Sequence, residues 1–497
     1  MSVPRISRTR YAAVGLVLAT AGALALPSGT AVAAASGSQS TTGPLLSYVV
    51  NTKANHGQVQ KVEKAITSLG GTVVYSYEQI GVVIARSTDT QFAAKLRQAK
   101  GVESVGASRT KGITASEDRV AEVAAAPTGA AAAGEEPLWA NQWDMRQIGV
   151  DKAHKLSLGS NKVTVGVLDS GIDGTHEDLA ANVDASQSVS CIDGGKPNTA
   201  WEAWQPGVDG DHGTHVAGTI AAAKNGKGIE GIAPNVKLAA VKVVDDGGFI
   251  YPEYAICGFV WAGEHKFKVT NNSYFVDPWM FNCQNDADQA AITTAVRRAV
   301  EFSQRKGVLN VAAAGNENID LAHKTKDVAS PDDTTPGERP ITQDCLNLPT
   351  ELDGVVAVSS VGVNGEKSYY SSYGKGKVTV AAPGGDRRYQ IPNTPDQNGR
   401  VLSTIPGGKY GYMQGTSMAS PHAAGVLALL ASTHPWANAD ELTELLTNQA
   451  ESHACPSAPY NPGGAGEWTA TCEGGADDNG FYGAGIINAE KAAQWWR

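Results

Sequence analysis

Short, unbroken apolar runs alternate with helix-like segments over most of this 497-residue chain. Typical runs are VTVGVL at 163–168, KLAAVKVV at 237–244, VLNVAAAG at 308–315 and VVAVSSV at 355–361. A strand with one face in solvent alternates apolar and polar residues, whereas an unbroken apolar strand is buried on both faces. The runs therefore predict an α/β fold for residues 138–497, with a mostly parallel sheet flanked by helices.

Two polar motifs carry the first candidates for chemistry, which in such sheets lies at the carboxyl ends of the strands. The first run is followed by Asp169 in DSGIDGTHEDL, where a carboxylate can also simply cap a turn. In GDHGTHVAGTIAAAK, His212 precedes a helix-like stretch of small residues. His215 lies one helical turn later, but the HExxH spacing of zinc peptidases is absent. Asp169 and His212 are therefore candidates for acid–base chemistry, without zinc.

Ser417 lies in GTSMASPHAAGVLALL, where small residues precede a pattern typical of a buried helix. At a helix N-terminus its oxygen would lie near free backbone N–H groups and the positive end of the helix dipole, which favour developing negative charge. Pro421 is tolerable if it falls in the first turn, where its missing N–H costs little. A serine that merely fills a buried helix does not explain so many small neighbours. The motif therefore predicts a nucleophile.

The segments VLDSGID, DHGTHVAGTIAA and GTSMASPHAAGV resemble, in this order, the three signature segments of the subtilisin family of serine peptidases. The resemblance extends over residues 138–493. It implies that Ser417 is the nucleophile, that His212 is the general base and that Asp169 orients the imidazole. Asn316, in AAAGNEN, matches the family's oxyanion-hole side chain, which donates together with the N–H of the nucleophile.

The resemblance also implies substrate contacts at Gly315 and along TNNSYFVD, which matches the edge where a substrate pairs like an added strand. In the family, small residues usually follow the serine that matches Ser273. Here Tyr274 and Phe275 follow it. These rings could narrow the cleft or line an aromatic subsite, or an insertion could reposition the loop. The substrate preference therefore stays open.

A calcium site is a further implication of the resemblance. Asp178, in HEDL, and Asn225, in the loop 223–230, match ligand positions, and their oxygens are of the kind that calcium prefers. The N-terminal ligand position falls near Trp139 or Ala140, neither of which has a side-chain carbonyl. An ordinary turn is the alternative. The chemistry itself requires no cofactor.

The first residues have the layout of a secretory signal peptide, which we place at 1–35. Three arginines precede an apolar run from Tyr11 to Leu26, and small residues follow up to Ala33. A membrane anchor would need about 20 apolar residues and no small-residue cleavage site. We therefore expect a secreted, extracellular protein that has no membrane association once the signal is removed.

Residues 44–108 show a βαββαβ pattern, with Gly70 and Gly101 where helix C-caps are expected. This small α+β unit resembles the inhibitory prodomain that precedes the family's catalytic domain, which implies a zymogen held by its own prodomain. Residues 109–137 are rich in alanine and predict an exposed linker that contains, or lies near, the processing site.

The six cysteines all lie downstream of the leader, and an even number in an exported chain predicts disulfides. Of the fifteen possible pairings, we predict only Cys455 with Cys472, because they bracket a Gly/Pro-rich loop. The net charge of −10 and the absence of a Lys/Arg cluster argue against a nucleic-acid partner.

We therefore expect a monomeric, self-processing serine endopeptidase that cuts proteins or peptides by a Ser-His-Asp triad through an acyl-enzyme. An α/β-hydrolase would carry its nucleophile in GxSxG, first of the three residues along the chain. Ser417 lies in GTSMA and comes last. The remaining alternative is a secreted, inactive pseudoprotease that binds peptides in the same cleft.

Overall fold

The computed structural model describes residues 42–113, 135–207 and 210–495, together with the backbone of 124–125. The predicted signal peptide and most of the predicted linker lie outside these residues. Among the described helices, none is long and apolar enough to cross a membrane.

Residues 42–107 form a small unit in which two helices accompany a four-stranded antiparallel sheet of order β2-β3-β1-β4. The elements are β1 (Thr42–Thr52), α1 (His56–Ser68), β2 (Thr72–Tyr77), β3 (Val82–Asp89), α2 (Phe92–Leu96) and β4 (Val102–Ala107). Val59, Val62 and Ile66 lie on one face of α1 and are fully buried, as a helical period predicts. The order of elements is the βαββαβ order expected from the sequence.

The larger part of the molecule is built on an eight-stranded sheet of order β17-β16-β12-β10-β6-β9-β7-β8, parallel except for the last pair. The strands after β4 are β5 (Ala124–Ala125), β6 (Thr164–Asp169), β7 (Val189–Asp193), β8 (Lys196–Asn198), β9 (Lys237–Lys242), β10 (Val269–Asn272), β11 (Asn282–Cys283), β12 (Leu309–Ala313), β13 (Lys326–Asp327), β14 (Arg339–Pro340), β15 (Cys345–Leu346), β16 (Val355–Val361), β17 (Val380–Pro383), β18 (Val401–Ile405) and β19 (Lys409–Met413). The four apolar runs are β6, β9, β12 and β16, so the predicted parallel sheet is confirmed.

Helices cover both faces of this sheet. They are α3 (Trp143–Gln147), α4 (Val150–Ala153), α5 (Asp211–Ala221), α6 (Pro252–Glu264), α7 (Ala287–Arg305), α8 (Thr416–Thr433), α9 (Ala439–Gln449) and α10 (Ala489–Ala492). Helix α8 is buried on nearly every side, which explains why its sequence is apolar rather than amphipathic. Its first turn therefore lies deep in the fold, at the carboxyl ends of the central strands.

Three disulfides join the six cysteines: Cys191–Cys257, Cys283–Cys345 and Cys455–Cys472. The third is the predicted pair. The first ties β7 to α6, and the second joins the short strands β11 and β15. The sequence alone did not distinguish these two pairings, because their partners are 66 and 62 residues apart.

Candidate active site

Ser417 is the second residue of α8, next to the end of β10. Its hydroxyl donates to the carbonyl oxygen of Ser273 at 3.2 Å, and its N–H belongs to the first turn, where helical amides lack intrahelical partners. The hydroxyl of Ser273 donates in return to the carbonyl oxygen of Ser417 at 2.9 Å. These two bonds fix Ser417 beside Ser273, which directly follows β10.

The explanation given above for Pro421 is wrong, because this residue lies inside α8, beyond its first turn. A residue in this position would normally donate its N–H to the carbonyl of Ser417, four residues earlier. Proline has no N–H, and the carbonyl that it leaves unbonded is the one that accepts from Ser273. Pro421 thus frees an acceptor that holds the nucleophile's backbone.

His212 lies in the first turn of α5 and faces Asp169 at the carboxyl end of β6. Its Nδ1 lies 2.8 Å from Oδ1 and 3.0 Å from Oδ2 of Asp169, which is buried. Because a carboxylate only accepts, Nδ1 carries the proton and Nε2 is left as a proton acceptor. A Cβ at Gly213 would lie 2.2 Å from the carbonyl oxygen of Gly171, so glycine is required for this close approach.

The carboxylate of Asp169 also sets the basicity of the imidazole. Burial alone lowers the pKa of His212, but the charge and the hydrogen bond of Asp169 outweigh it and raise this pKa above 6.5. Among the described residues, His215 has no carboxylate beside its ring; it is buried, and its Nε2 lies 3.2 Å from the carbonyl oxygens of Val401 and Gly411. Burial lowers the pKa of His215 to about 3, so it is a neutral structural residue.

Asn316 follows β12 and contacts the start of α8. Its Oδ1 accepts from the N–H of Thr416 at 2.8 Å and from the hydroxyl of Thr416 at 2.9 Å. With Oδ1 engaged in this way, the amide's Nδ2 is the group left to donate elsewhere. Asn316, His212 and Ser417 together line a cavity of about 370 Å³. The structure thus brings the four predicted catalytic positions to one place.

A second cavity, of about 250 Å³, opens beside Ser417. It is lined by all four predicted substrate positions, Ser273, Tyr274, Phe275 and Gly315. The hydroxyl of Tyr274 donates to Oδ1 of Asn272 at 2.9 Å, which fixes its ring in the wall.

Three acidic residues that the sequence analysis missed also line this second cavity: Asp277, Glu317 and Asp332. Burial and the neighbouring Asp332 raise the pKa of Asp277 well above its ordinary value. Asp277 is the last residue of TNNSYFVD and Glu317 lies within AAAGNEN, so their place in motifs quoted above was the available signal for both. Asp332 lies between β13 and β14, in a polar stretch where no hydrophobic periodicity predicts the path of the chain.

Two buried carboxylates, Asp178 and Glu136, lie beside the loop 223–230. Oδ2 of Asp178 accepts from the N–H of Ile229 at 3.1 Å, and Oε1 of Glu136 accepts from the N–H of Gly226 at 2.9 Å. Their second oxygens, Asp178 Oδ1 and Glu136 Oε2, are buried and have no hydrogen-bond partner in the described part of the chain. Burial raises the pKa of both carboxyl groups.

Glu136 is a further candidate beside this loop, whereas the sequence analysis placed the N-terminal ligand position near Trp139 or Ala140. The carbonyl oxygens of those two residues accept from the Arg146 guanidinium, at 2.7 and 3.0 Å. Asn225 is held by a donation to the carbonyl oxygen of Glu177 at 3.1 Å. The described residues contain no group of three or more His, Cys, Asp or Glu disposed to hold a metal. The two unpartnered carboxylate oxygens nevertheless fit a hard cation such as calcium, completed by amide and carbonyl oxygens.

The model of the subtilase family matches residues 160–485. This chain belongs to the subtilase family. It is a serine endopeptidase by that membership, and Asp169, His212, Asn316 and Ser417 all lie within the matched range of this subtilase.

Among the relatives of this subtilase, subtilisin E of Bacillus subtilis (strain 168) is 32% identical over 354 residues, which are 71% of each chain. Fervidolysin of Fervidobacterium pennivorans is 32% identical over 334 residues, and the match spans 63% of this subtilase and 41% of fervidolysin. The crystal structure of fervidolysin, a keratinolytic enzyme related to subtilisin, has a TM-score of 0.59 at 25% identity, covering 92% of this chain and 62% of that chain.

The epidermin leader peptide processing serine protease of Staphylococcus aureus is also similar in structure. Its TM-score is 0.65 at 22% identity, and the match covers 91% of this subtilase and 98% of that chain. At this identity the likeness supports the fold alone, which is the subtilisin-like fold expected from the sequence.

Proposed function

We propose that this subtilase is a secreted, self-processing endopeptidase that cuts peptide bonds through an acyl-enzyme on Ser417. The proposal is carried by the hydrogen bond between Asp169 and His212. His212 lines the same cavity as Ser417 and Asn316. In the first step the Ser417 oxygen attacks the substrate carbonyl while Nε2 of His212 takes its proton. Asp169 stabilises the imidazolium that forms.

The oxyanion of the tetrahedral intermediate receives hydrogen bonds from Nδ2 of Asn316 and from the N–H of Ser417. The C–N bond then breaks, and His212 gives its proton to the leaving amine. Water next attacks the acyl-enzyme, again with His212 as the base, and the acid product leaves with Ser417 restored. No metal or cofactor is required for these steps.

The test of this function is labelling by a serine-directed phosphonate, followed by mass spectrometry of the modified peptide. We expect one adduct, on Ser417, together with loss of peptide hydrolysis. A pseudoprotease would bind peptides without being labelled. Hydrolysis that continues after complete labelling would contradict Ser417 as the nucleophile.

Secretion is supported by the leader-like first residues and by three disulfides, which persist in oxidising compartments. The small unit is proposed to be the inhibitory prodomain, because it packs against α6 and α7. Asn51 Nδ2 donates to the carbonyl oxygen of Ala291 at 2.9 Å, and a Cβ at Gly106 would lie 2.3 Å from the carbonyl oxygen of Asp288. Such close backbone contact is what an intramolecular inhibitor requires.

Self-processing between residues 109 and 137 is supported by two anchors of this segment on the catalytic part. The N–H groups of Thr110 and Lys111 donate to Oδ2 of Asp333, at 2.8 and 3.1 Å. Further on, Ala124–Ala125 pairs antiparallel with β19, whose residues Tyr412 and Met413 line the cavity with Ser417. We propose that the segment is cut at this cavity and that the enzyme then acts as a monomer on proteins or peptides.

The activity is expected to fall in acid, because only neutral His212 can take a proton. Since Asp169 raises the pKa of His212 above 6.5, the midpoint of the acidic limb of kcat/KM should lie above pH 6.5. The measurement is hydrolysis of an uncharged peptide at about pH 4 to 9, with circular dichroism to confirm that the enzyme stays folded. A rate already constant at pH 4 would exclude His212 as the base.

Calcium is proposed to bind at Asp178, Glu136 and Asn225, where it would neutralise two buried carboxylates and tie the loop 223–230 to the N-terminal segment. Removal of calcium by a chelator should lower the melting temperature by about 5 °C, the size expected for a cation present far above its Kd. Added calcium should restore it. The measurement is differential scanning fluorimetry of the mature enzyme.

The matched variants are Glu136→Gln and Asp178→Asn, which keep the shape of the side chains but remove the charge. Both should abolish the response to calcium, while Glu301→Gln, an exposed acid on α7, should respond as the unaltered enzyme does. Equal melting temperatures with and without calcium would contradict this site.

A further inference from the structure

Arg109 is a buried cation at the point where the small unit ends. Its side chain is only 7% exposed, and Nη2 donates to Oε1 of Glu253 at 2.5 Å. The guanidinium carbon lies 3.7 Å from the centre of the Tyr251 ring and 6.0 Å from that of Tyr254. One guanidinium is therefore enclosed by a carboxylate and two aromatic faces.

The partners of Arg109 come from the catalytic part of the chain, and their chemistry is that of a cation-binding pocket. Glu253 is fully buried in the first turn of α6, and its second oxygen, Oε2, has no hydrogen-bond partner among the described residues. Burial alone lowers the pKa of Arg109, but Glu253 outweighs it and raises this pKa. The nearby Asp245 adds negative charge. Planar guanidinium suits such a site better than the ammonium of lysine, because it stacks on rings and bonds through two nitrogens.

This pocket adjoins the cavity beside Ser417. Ile250, which precedes Tyr251, lines that cavity, and its carbonyl oxygen accepts from the N–H of Asp277 at 2.9 Å. On the other side, Asp333 holds the backbone of the residues that follow Arg109, and its neighbour Asp332 lines the same cavity. The chain thus runs from the guanidinium pocket along the rim of the cavity. Because processing is proposed to occur after residue 109, Arg109 lies on the amino-terminal side of the bond that is cut.

Resting on the proposed function, in which the prodomain leaves after processing, we propose that the pocket of Tyr251, Glu253 and Tyr254 is a subsite for an arginine side chain of the substrate. Arg109 occupies this subsite in the uncut chain. After its departure, a substrate arginine restores the ion pair of Glu253, whereas a neutral side chain leaves a carboxylate without its partner. An enzyme with this subsite prefers polypeptides that carry arginine upstream of the cut bond.

The test compares peptides that differ in one residue on the amino-terminal side of the cut bond. Arginine, citrulline or norleucine is placed at each of these positions in turn, and kcat/KM is measured with the mature enzyme. Citrulline has the shape of arginine without its charge. At one position arginine should exceed citrulline at least about tenfold, as expected when a buried carboxylate regains its charged partner.

Glu253→Gln should bring the ratio of arginine to citrulline at this position close to one. Tyr251→Leu, which removes a ring face but no charge, should lower the ratio as well and serves if Glu253→Gln does not fold. The control is Glu301→Gln, which should keep the full ratio.

Equal rates for the three peptides at every position would overturn the subsite while leaving the proposed function intact. An arginine preference that survives both Glu253→Gln and Tyr251→Leu would also overturn it, since another site would then bind the cation. Failure to hydrolyse any peptide, together with no phosphonate labelling of Ser417, would instead overturn the proposed function, and this assignment with it.

Discussion

We expect that replacement of Ser417 by alanine yields a longer secreted species that retains residues 44–108 and hydrolyses no peptide at a measurable rate. The reason is that Ser417 is the proposed nucleophile, and loss of a triad nucleophile costs about 10⁶-fold in kcat, a value established for subtilisin itself. The measurement is the mass of the secreted protein, expressed in a host that lacks other proteases, together with hydrolysis of a peptide. The fold should be kept, because within the described residues the Ser417 hydroxyl makes a single long hydrogen bond, to Ser273 at 3.2 Å.

The matched control is Ser432→Ala, at the far end of α8, which should be processed normally. The Ser432 hydroxyl donates to the carbonyl oxygen of Ala428 and lies outside the cavity. Release of the small unit from the Ser417→Ala variant in the protease-free host would contradict self-processing. Normal peptide hydrolysis by that variant would contradict the nucleophile.

We expect that replacement of Asn316 by alanine lowers kcat by about 10²–10³-fold, with little change in KM. This range was established for the oxyanion-hole asparagine of subtilisin, whose role we propose for Asn316, and it follows from losing one hydrogen bond that forms fully only with the oxyanion. The measurement is steady-state hydrolysis of one peptide by the mature enzyme, with the prodomain supplied in trans if processing becomes slow.

Asn316→Asp separates the two things that this side chain can do. An aspartate keeps an oxygen to accept from Thr416, as Oδ1 of Asn316 does at 2.8 and 2.9 Å, but it has no group to donate. If donation to the oxyanion is the role, both variants lose kcat to a similar extent. Full activity of Asn316→Asp would show that Asn316 acts only by holding the start of α8.

The sequence predicted those features that arise from local periodicity. Unbroken apolar runs identified β6, β9, β12 and β16, because burial on both faces leaves a direct trace in residue type. The small residues around Ser417 and the glycine after His212 marked places where other groups approach closely. In each of these cases the physical requirement acts within a few residues of the motif.

The missed features depend on contacts between segments that are far apart along the chain. Glu136 contacts the loop 223–230 only in the folded chain. Asp332 lines the cavity from a polar stretch whose path cannot be predicted from hydrophobic periodicity. The reason for Pro421 was misjudged in the same way. The carbonyl that Pro421 leaves free accepts a hydrogen bond from Ser273, which lies 144 residues before the nucleophile.

The bond from Ser273 to the carbonyl of Ser417 makes one residue serve two parts of the enzyme. Ser273 lies in the segment proposed to pair with the incoming peptide, and its hydroxyl also holds the turn that presents the nucleophile. Substitutions in this segment that are intended to change substrate selectivity are therefore expected to change kcat as well. In this enzyme, selectivity is better changed at subsites farther from Ser417, because substitutions there leave the hydrogen bonds that position the nucleophile intact.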